Sequence, residues 1–257
     1  SKKFQNIYFI LLNYSINNKY FKNIFTNNEN LNRIKILKST SEECMAFEKL
    51  NFSNLNLTQS PYYGKSKAIV ENKKVHFFRI MINNQQVGFC QILKRKYFNF
   101  LTLLRINRGP ILLNSIKLND RINIISKILK FGNIFNLNVL SITPDVSYFS
   151  IESIFLKSIR SIRLRFPNWK STKIDLGNSL DDLTLKLKPK WRNSLRKAQK
   201  QNLIIDRSSN QSQIDLILKY YLQDIDKKKF KGLNPEIIKK MAEFKCDNEK
   251  LHVFIAK

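Results

Sequence analysis

Residues 171–207, STKIDLGNSLDDLTLKLKPKWRNSLRKAQKQNLIIDR, leave this chain little freedom in its local structure. Residues 172–176 alternate in polarity and stop at Gly177, the pattern of a strand. Ser179, with Asp182 three residues on, has the sequence form of a capping box and starts a helix on which Leu183 and Leu187 share a face. Proline has no N–H to donate and clashes with the preceding turn. Pro189 therefore cannot sit inside that helix and opens a second one. In the second helix Trp191, Leu195 and Ala198 fall within roughly 80° of one another at about 100° per residue. Lys190, Arg192, Arg196, Lys197 and Lys200 take the other side. The pattern predicts a helix that buries its indole and shows water a broad cationic face. Charge alone leaves two readings of that face open: a solvated surface, or a site for a polyanion.

Composition bears on that choice. The 257 residues carry 46 Lys+Arg against 19 Asp+Glu, a formal charge of +27, which favours polyanionic partners such as nucleic acid, anionic lipid or phosphorylated small molecules. The chain is also rich in Asn, Ile and Phe, the mark of an AT-rich genome that drifts toward Lys whatever the function, so the excess permits RNA without proving it. A 43% hydrophobic content and ample length allow a globular core. Cys44, Cys90 and Cys246 match no metal spacing and fit a reducing, cytoplasmic setting. His76 and His252 lie in apolar strand-like runs and read as packed or edge residues. No run approaches the roughly 18 apolar residues of a membrane span. Residues 7–12 are too short for one and lack a cleavage site. The missing initiator Met and a final strand that stops at Lys257 read as a fragment.

In chain order, residues 1–33 show no clear period and read as an N-terminal extension. Residues 34–37 form a first strand, and Ser39 or Ser41 caps a helix with Glu42 and Glu43 in its positive first turn. Pro61 leads from LTQSP into a helix bearing Tyr63, Lys65 and Lys67. Residues 75–82 and 87–95 pair around a turn at 83–86, and residues 101–106 add a third strand ending in Asn107-Arg108-Gly109-Pro110. Residues 118–129 make an amphipathic helix and 139–143 a strand before Pro144. Residues 149–162 read as helical and carry Arg160, Arg163 and Arg165 into a loop. After the opening stretch come a helix over 212–221, a lysine-rich loop with Lys229 and Lys231, a helix opened by Pro235 and a strand over 251–256.

The order K-x-D-L, acid-capped helix, K-W-R-N-S-L-R-K-A-x-K, short strand resembles the Fem (FemABX) family of peptidoglycan peptidyltransferases, which move an amino acid from aminoacyl-tRNA onto the stem peptide of a cell-wall precursor. The resemblance covers residues 34–257 and includes the segment T-Q-S, aromatic, K at 58–67 and R-G-P at 108–110. It implies an α/β (α+β) fold of tandem GNAT-like domains: an extension over 1–33, a first domain over 34–168, and a second over 169–257 that is incomplete. It implies a cytoplasmic aminoacyltransferase, possible peripheral contact with the inner membrane face, no metal, and no cofactor beyond aminoacyl-tRNA as co-substrate. The other substrate is a UDP-linked or lipid-linked precursor.

By the same resemblance Lys67, beside Tyr63, contacts precursor phosphates, and Lys190, Arg192, Arg196, Lys197 and Lys200 contact tRNA. Arg108 is open between a turn role and a substrate-facing one. Where the family holds its nucleotide diphosphate with an Arg and a Tyr, this chain has Leu233 and Ile237. Lys229 and Lys231 are the nearby substitutes, without the bidentate fork of arginine.

Six glycines form no P-loop and no G-x-G-x-x-G, and the R-x-x-G-x-G/A loop that cradles coenzyme A is absent from the sequence. Aminoacyl transfer needs neither, because the ester is already activated and positioning with an oxyanion donor suffices. Two other readings stay open: a GNAT-fold N-acyltransferase with a different donor, and a non-catalytic basic module that binds RNA or membrane.

Overall fold

The computed structural model describes residues 6–11, 32–52, 57–97, 101–133, 139–143, 161–165, 177–201, 203–244 and 251–256. Two compact units divide between Trp169 and Lys170. The expected strand over 172–176, the Pro144-Asp145 junction, Arg160 and Cys246 lie outside the described residues.

The first unit grows from a β-hairpin whose register its sequence dictates. β3 (Lys74–Ile82) turns through Asn83 and Asn84 into β4 (Gln85–Tyr97). Both asparagines have positive φ, 50° and 63°, a region their short amide side chains tolerate better than most. β2 (Ile34–Ser39) pairs with β3, and β5 (Leu101–Asn107) with β4, all antiparallel. The two-residue β6 (Ile111–Leu112) returns to β4 beside Gly88. β7 (Val139–Thr143) then pairs with β5 in parallel, Leu103 opposite Val139 through to Asn107 opposite Thr143. A parallel neighbour needs a crossover. Here it contains α3 (Leu118–Asn133).

Two further strands complete the sheet in the order β2-β3-β4-β5-β7-β1-β8. β1 (Asn6–Leu11) lies between β7 and β8 (Ser161–Arg165), antiparallel to both. This corrects two expectations. Residues 1–33 are more than an extension, because they supply an interior strand. Arg163 and Arg165 lie in a strand, not in a loop, while residues 149–160 of the expected helix lie outside the described residues. An unbroken apolar run hides the two-residue period of a strand. NIYFIL is such a run.

Both faces of the sheet are covered. Phe78, Ile80 and Ile82 of β3 join Cys90 and Ile92 of β4, Leu104 and Ile106 of β5 and Leu140 and Ile142 of β7. The α3 residues Ile124, Ile125 and Ile128 lie against them. Phe77 and Phe89 point to the opposite face, where Cys44, Phe47 and Phe52 cover them. Cys44 and Phe47 belong to α1 (Ser41–Asn51). Its cap is Thr40, with Glu43 closing a capping box, where Ser39 or Ser41 was expected; Ser39 Oγ instead donates to the Glu43 carboxylate.

The first described element of the second unit is α4 (Leu180–Lys186), whose cap Ser179 accepts from the Asp182 N–H. α5 (Pro189–Gln199) follows with Pro189 in its first turn. β9 (Ile205–Ser208) pairs with β10 (Val253–Ala256) in an antiparallel ribbon. Between them lie α6 (Gln211–Lys228) and α7 (Pro235–Glu243), the latter capped by Asn234. Ile214 and Leu218 of α6 and Ile237 of α7 are the buried apolar residues described in this unit. No residue of α5 is buried: Trp191 is 64% exposed and Leu195 37%. The expected burial of the indole is therefore overturned. Helical spacing sorts residues onto faces but does not supply a neighbour to cover one.

Candidate functional site

Two segments nearly fifty residues apart in sequence meet in the first unit. A 3-10 turn, Leu57–Gln59, precedes α2 (Pro61–Val70), and the segment after β5 holds Arg108-Gly109-Pro110 with a cis Gly109–Pro110 bond. Gln59 is fully buried and joins them. Its Nε2 donates to the Asn107 carbonyl, and its Oε1 accepts from the Gln91 N–H at 3.0 Å. Thr58 Oγ1 also donates to the Asn107 carbonyl, at 3.3 Å, and Gln91 Nε2 donates to the Thr58 carbonyl at 3.1 Å.

Both glycines here are needed for close approach. A Cβ on Gly109 would lie 2.7 Å from the Gln59 side chain, and one on Gly64 would lie 2.0 Å from that of Gln91. The T-Q-S and R-G-P segments thus form one polar joint at the C-terminal end of the parallel β5–β7 pair. The sequence held a faint signal for it: Gln91 is the polar intruder in the run VGFCQIL. A buried amide in such a run needs partners.

Of the expected substrate residues, Tyr63 is buried and Lys67 is nearly so, with 14% of its side chain exposed. The Lys67 ammonium lies 2.8 Å from Glu71 Oε1, one helical turn on. It also donates to Tyr63 Oη at 3.4 Å and sits 5.5 Å from that ring's centre. Glu71 makes a second ion pair, with Lys73. Burial pushes the Glu71 carboxyl up, but hydrogen bonds and charge from Lys67 and Lys73 outweigh it and hold the pKa below the usual carboxylate value. Arg108 adopts φ 48°, and its N–H bonds the Thr143 carbonyl, extending the β5–β7 pairing by one residue. The structure therefore gives Lys67 and the Arg108 backbone structural partners.

In the second unit Lys229 ends α6 in the left-handed region and pairs with Asp226 at 2.6 Å, while Lys231 is exposed. Ile237 is core, and the Leu233 carbonyl accepts from Tyr221 Oη at 3.1 Å. Ile237 is thus a packing residue, and Leu233 is tied to α6 through its backbone.

The cationic face lies on α5. Lys190, Arg196, Lys197 and Lys200 are exposed and Arg192 is half-buried. No Asp or Glu occurs between Asp182 and Asp206, and no ion pair reaches these five among the described residues. Nor do the described residues hold a cluster of three or more metal-binding side chains, or a helix long and apolar enough to cross a membrane.

Among the described residues the mixed eight-stranded sheet, with helices on both faces and a single parallel pair, makes a FemX-like α/β fold. Among solved structures, the chain overlays FemX with a TM-score of 0.63 and 15% identity over 86% of its length. The match takes in 57% of FemX, so the chain spans little more than half that length. A GCN5-related N-acetyltransferase from Anabaena variabilis aligns with 63% of this chain and 38% of its own, at a TM-score of 0.40 and 10% identity. An aminoglycoside acetyltransferase from an uncultured soil metagenomic sample aligns with 58% of this chain and 97% of its own, at 0.33 and 14%. These two overlays are too loose to support further argument. No protein-family model and no curated protein matches the chain.

Proposed function

We propose that this chain forms part of a Fem-like aminoacyltransferase, which moves an amino acid from aminoacyl-tRNA to the stem-peptide amine of a peptidoglycan precursor. The observation that carries the reading is the α5 face: exposed cations that no described carboxylate neutralises, on a chain with the FemX fold. A row of unneutralised cations binds phosphates by releasing their counterions. In the reaction the amine nitrogen attacks the ester carbonyl, a C–N bond forms and the C–O bond to the ribose breaks. The ribose oxygen leaves with a proton in exchange for the one the amine loses. An activated ester needs no enzyme nucleophile for this step, only alignment and a donor for the oxyanion.

In this reading Lys67 is the residue that the family resemblance assigns to a precursor phosphate. Reaching one means exchanging the Glu71 carboxylate for it, a swap of one anion for another. The precursor is UDP-linked or lipid-linked, and the lipid-linked form implies peripheral work at the inner membrane face.

The test is transfer of radiolabelled amino acids from a total aminoacyl-tRNA pool to purified precursor by the full-length protein. Label in the precursor, lost in Lys67→Ala while tRNA binding persists, is the expected result. No transfer by a folded protein that does bind acyl-CoA would overturn the reading in favour of an N-acyltransferase with another donor.

A further inference from the structure

None of the strands β1–β8 carries an Asp or a Glu, and the chain has neither from Asn72 to Asn119. At one end of the sheet the strand register gathers cations on the face that carries the α3 core. Lys74, the first residue of β3, stands directly opposite Lys94 of β4. His76, two residues on, shares their face, and so does Lys38 of β2, opposite Phe78. Lys96 continues that face along β4. His76 and Lys94 are half-buried, while Lys38, Lys74 and Lys96 are exposed. Like charges directly opposite on neighbouring strands, with Cβ atoms about 4.5–5.5 Å apart, destabilise a sheet.

A lysine on an edge strand blocks pairing with other chains, which accounts for Lys38, because β2 is an edge of the sheet. β3 and β4 are interior strands, so Lys74 and Lys94 need another reason. Glu71, three residues before Lys74, is held by Lys67 and Lys73, and Asp120, the one acid of α3, by Arg33. Lys38, Lys74 and Lys96 enter no ion pair among the described residues. Burial lowers the His76 pKa, and the charges of Lys94, Lys38 and Lys74 lower it further, so the ring is neutral at pH 7. We propose that Lys74 and Lys94, with Lys38 and His76 beside them, bind the phosphate group of a small soluble molecule or of a lipid head group. Two ammonium groups that converge on one anion exchange their repulsion for charge-assisted hydrogen bonds, and the imidazole adds a neutral N–H. The cations surround one cross-strand pair and do not follow a line, which fits a single phosphate or pyrophosphate. α2 lies on the other face, where Gly64 meets Gln91, so this site is separate from Lys67 and independent of the function proposed above.

The sequence has two histidines, so His252→Gln leaves His76 as the sole imidazole reporter. Its NMR signals are followed against pH as the chain is titrated with inorganic pyrophosphate, with dihexanoyl phosphatidylglycerol below its micelle concentration, or with sodium chloride of equal ionic strength. Pyrophosphate should shift the signals and raise the His76 pKa, because a bound anion offsets the lysine charges. Lys74→Gln and Lys94→Gln should each weaken that binding about tenfold, the loss of one charge-assisted hydrogen bond. Without an anion, at low salt, Lys74→Gln should raise the melting temperature slightly by removing the like-charge pair. With pyrophosphate the wild-type chain should gain more than the variant.

A response to pyrophosphate upholds the site and makes its ligand a soluble phosphate. A response to phosphatidylglycerol alone upholds it and makes the ligand a lipid head group. A His76 signal that neither probe moves, or that sodium chloride moves as far, overturns the inference. So does a response that survives Lys74→Gln combined with Lys94→Gln, or a Lys74→Gln chain that is less stable than wild type without any anion. If the response disappears instead on reversing Arg192, Arg196 and Lys197 to Glu, it belongs to α5. The inference then falls while the proposed function stands.

Discussion

Two basic regions of this molecule are built to opposite plans. Around α2 and α3 of the first unit, cations are answered where they arise: Lys67 and Lys73 share Glu71, Lys65 meets Glu42 at 2.8 Å, and Arg33 meets Asp120. On α5 the cations have no such partner among the described residues, although Lys228 and Lys229 at the end of α6 and Lys239 and Lys240 of α7 in the same unit do. The formal charge of +27 does not separate the two cases. The placement of the few carboxylates does. A lysine with a carboxylate one turn away belongs first to its own helix, and one without is available to an outside anion.

The sharpest way to break this comparison is charge reversal on α5. Arg192→Glu, Arg196→Glu and Lys197→Glu together should weaken tRNA binding about a thousandfold and reduce the magnitude of the salt slope by about 2–3. Thermal stability should move little, because these side chains are mostly exposed. A fall in melting temperature with unchanged affinity, read by filter binding beside calorimetry, reverses the assignment.

Gln59→Leu probes the other plan. It strands the Gln91 N–H and the Asn107 carbonyl around a fully buried side chain, and should destabilise the first unit by about 2–3 kcal/mol in urea unfolding. tRNA affinity measured below the transition should be unchanged. Lys67→Ala should cost a further step less, about 0.5–1.5 kcal/mol, because Lys73 still neutralises Glu71.

The smallest effect is one of pH. The folded-state pKa of Glu71 is depressed, so its ion pairs stabilise the fold above the unfolded carboxylate value of about 4.3. That contribution disappears as pH falls through the lower folded value. Glu71→Gln should therefore flatten the acid limb of melting temperature against pH. An unchanged limb would show that the pairing does not matter to folding.

Much of the fold was legible because proline and asparagine punctuate it. Pro61, Pro189 and Pro235 each open a helix, and Asn83-Asn84 closes the central hairpin. What local pattern missed depends on partners distant in sequence. Gln59 and Gln91 are ordinary polar residues until the sheet brings a turn against them. Trp191 looked like core because amphipathic spacing marks an apolar stripe, not whether anything covers it. Ile237 sits where a substrate tyrosine was sought, and its complete burial gives a packing reason for the departure. Within the site, the T-Q-S and R-G-P segments were readable as separate signals. Their union at one joint was not.

The position of β1 also bears on how the protein is made. Its partners β7 and β8 begin at Val139 and Ser161, so on the ribosome β1 waits for residues synthesised more than a hundred positions later. Until then both its edges are open to pairing with other chains, as long-range β contacts always expose them. The interval is set by translation speed, on the order of ten seconds at about 5–20 residues per second. Slow codons between the two segments lengthen that exposure, and a chaperone bound over β1 shortens it.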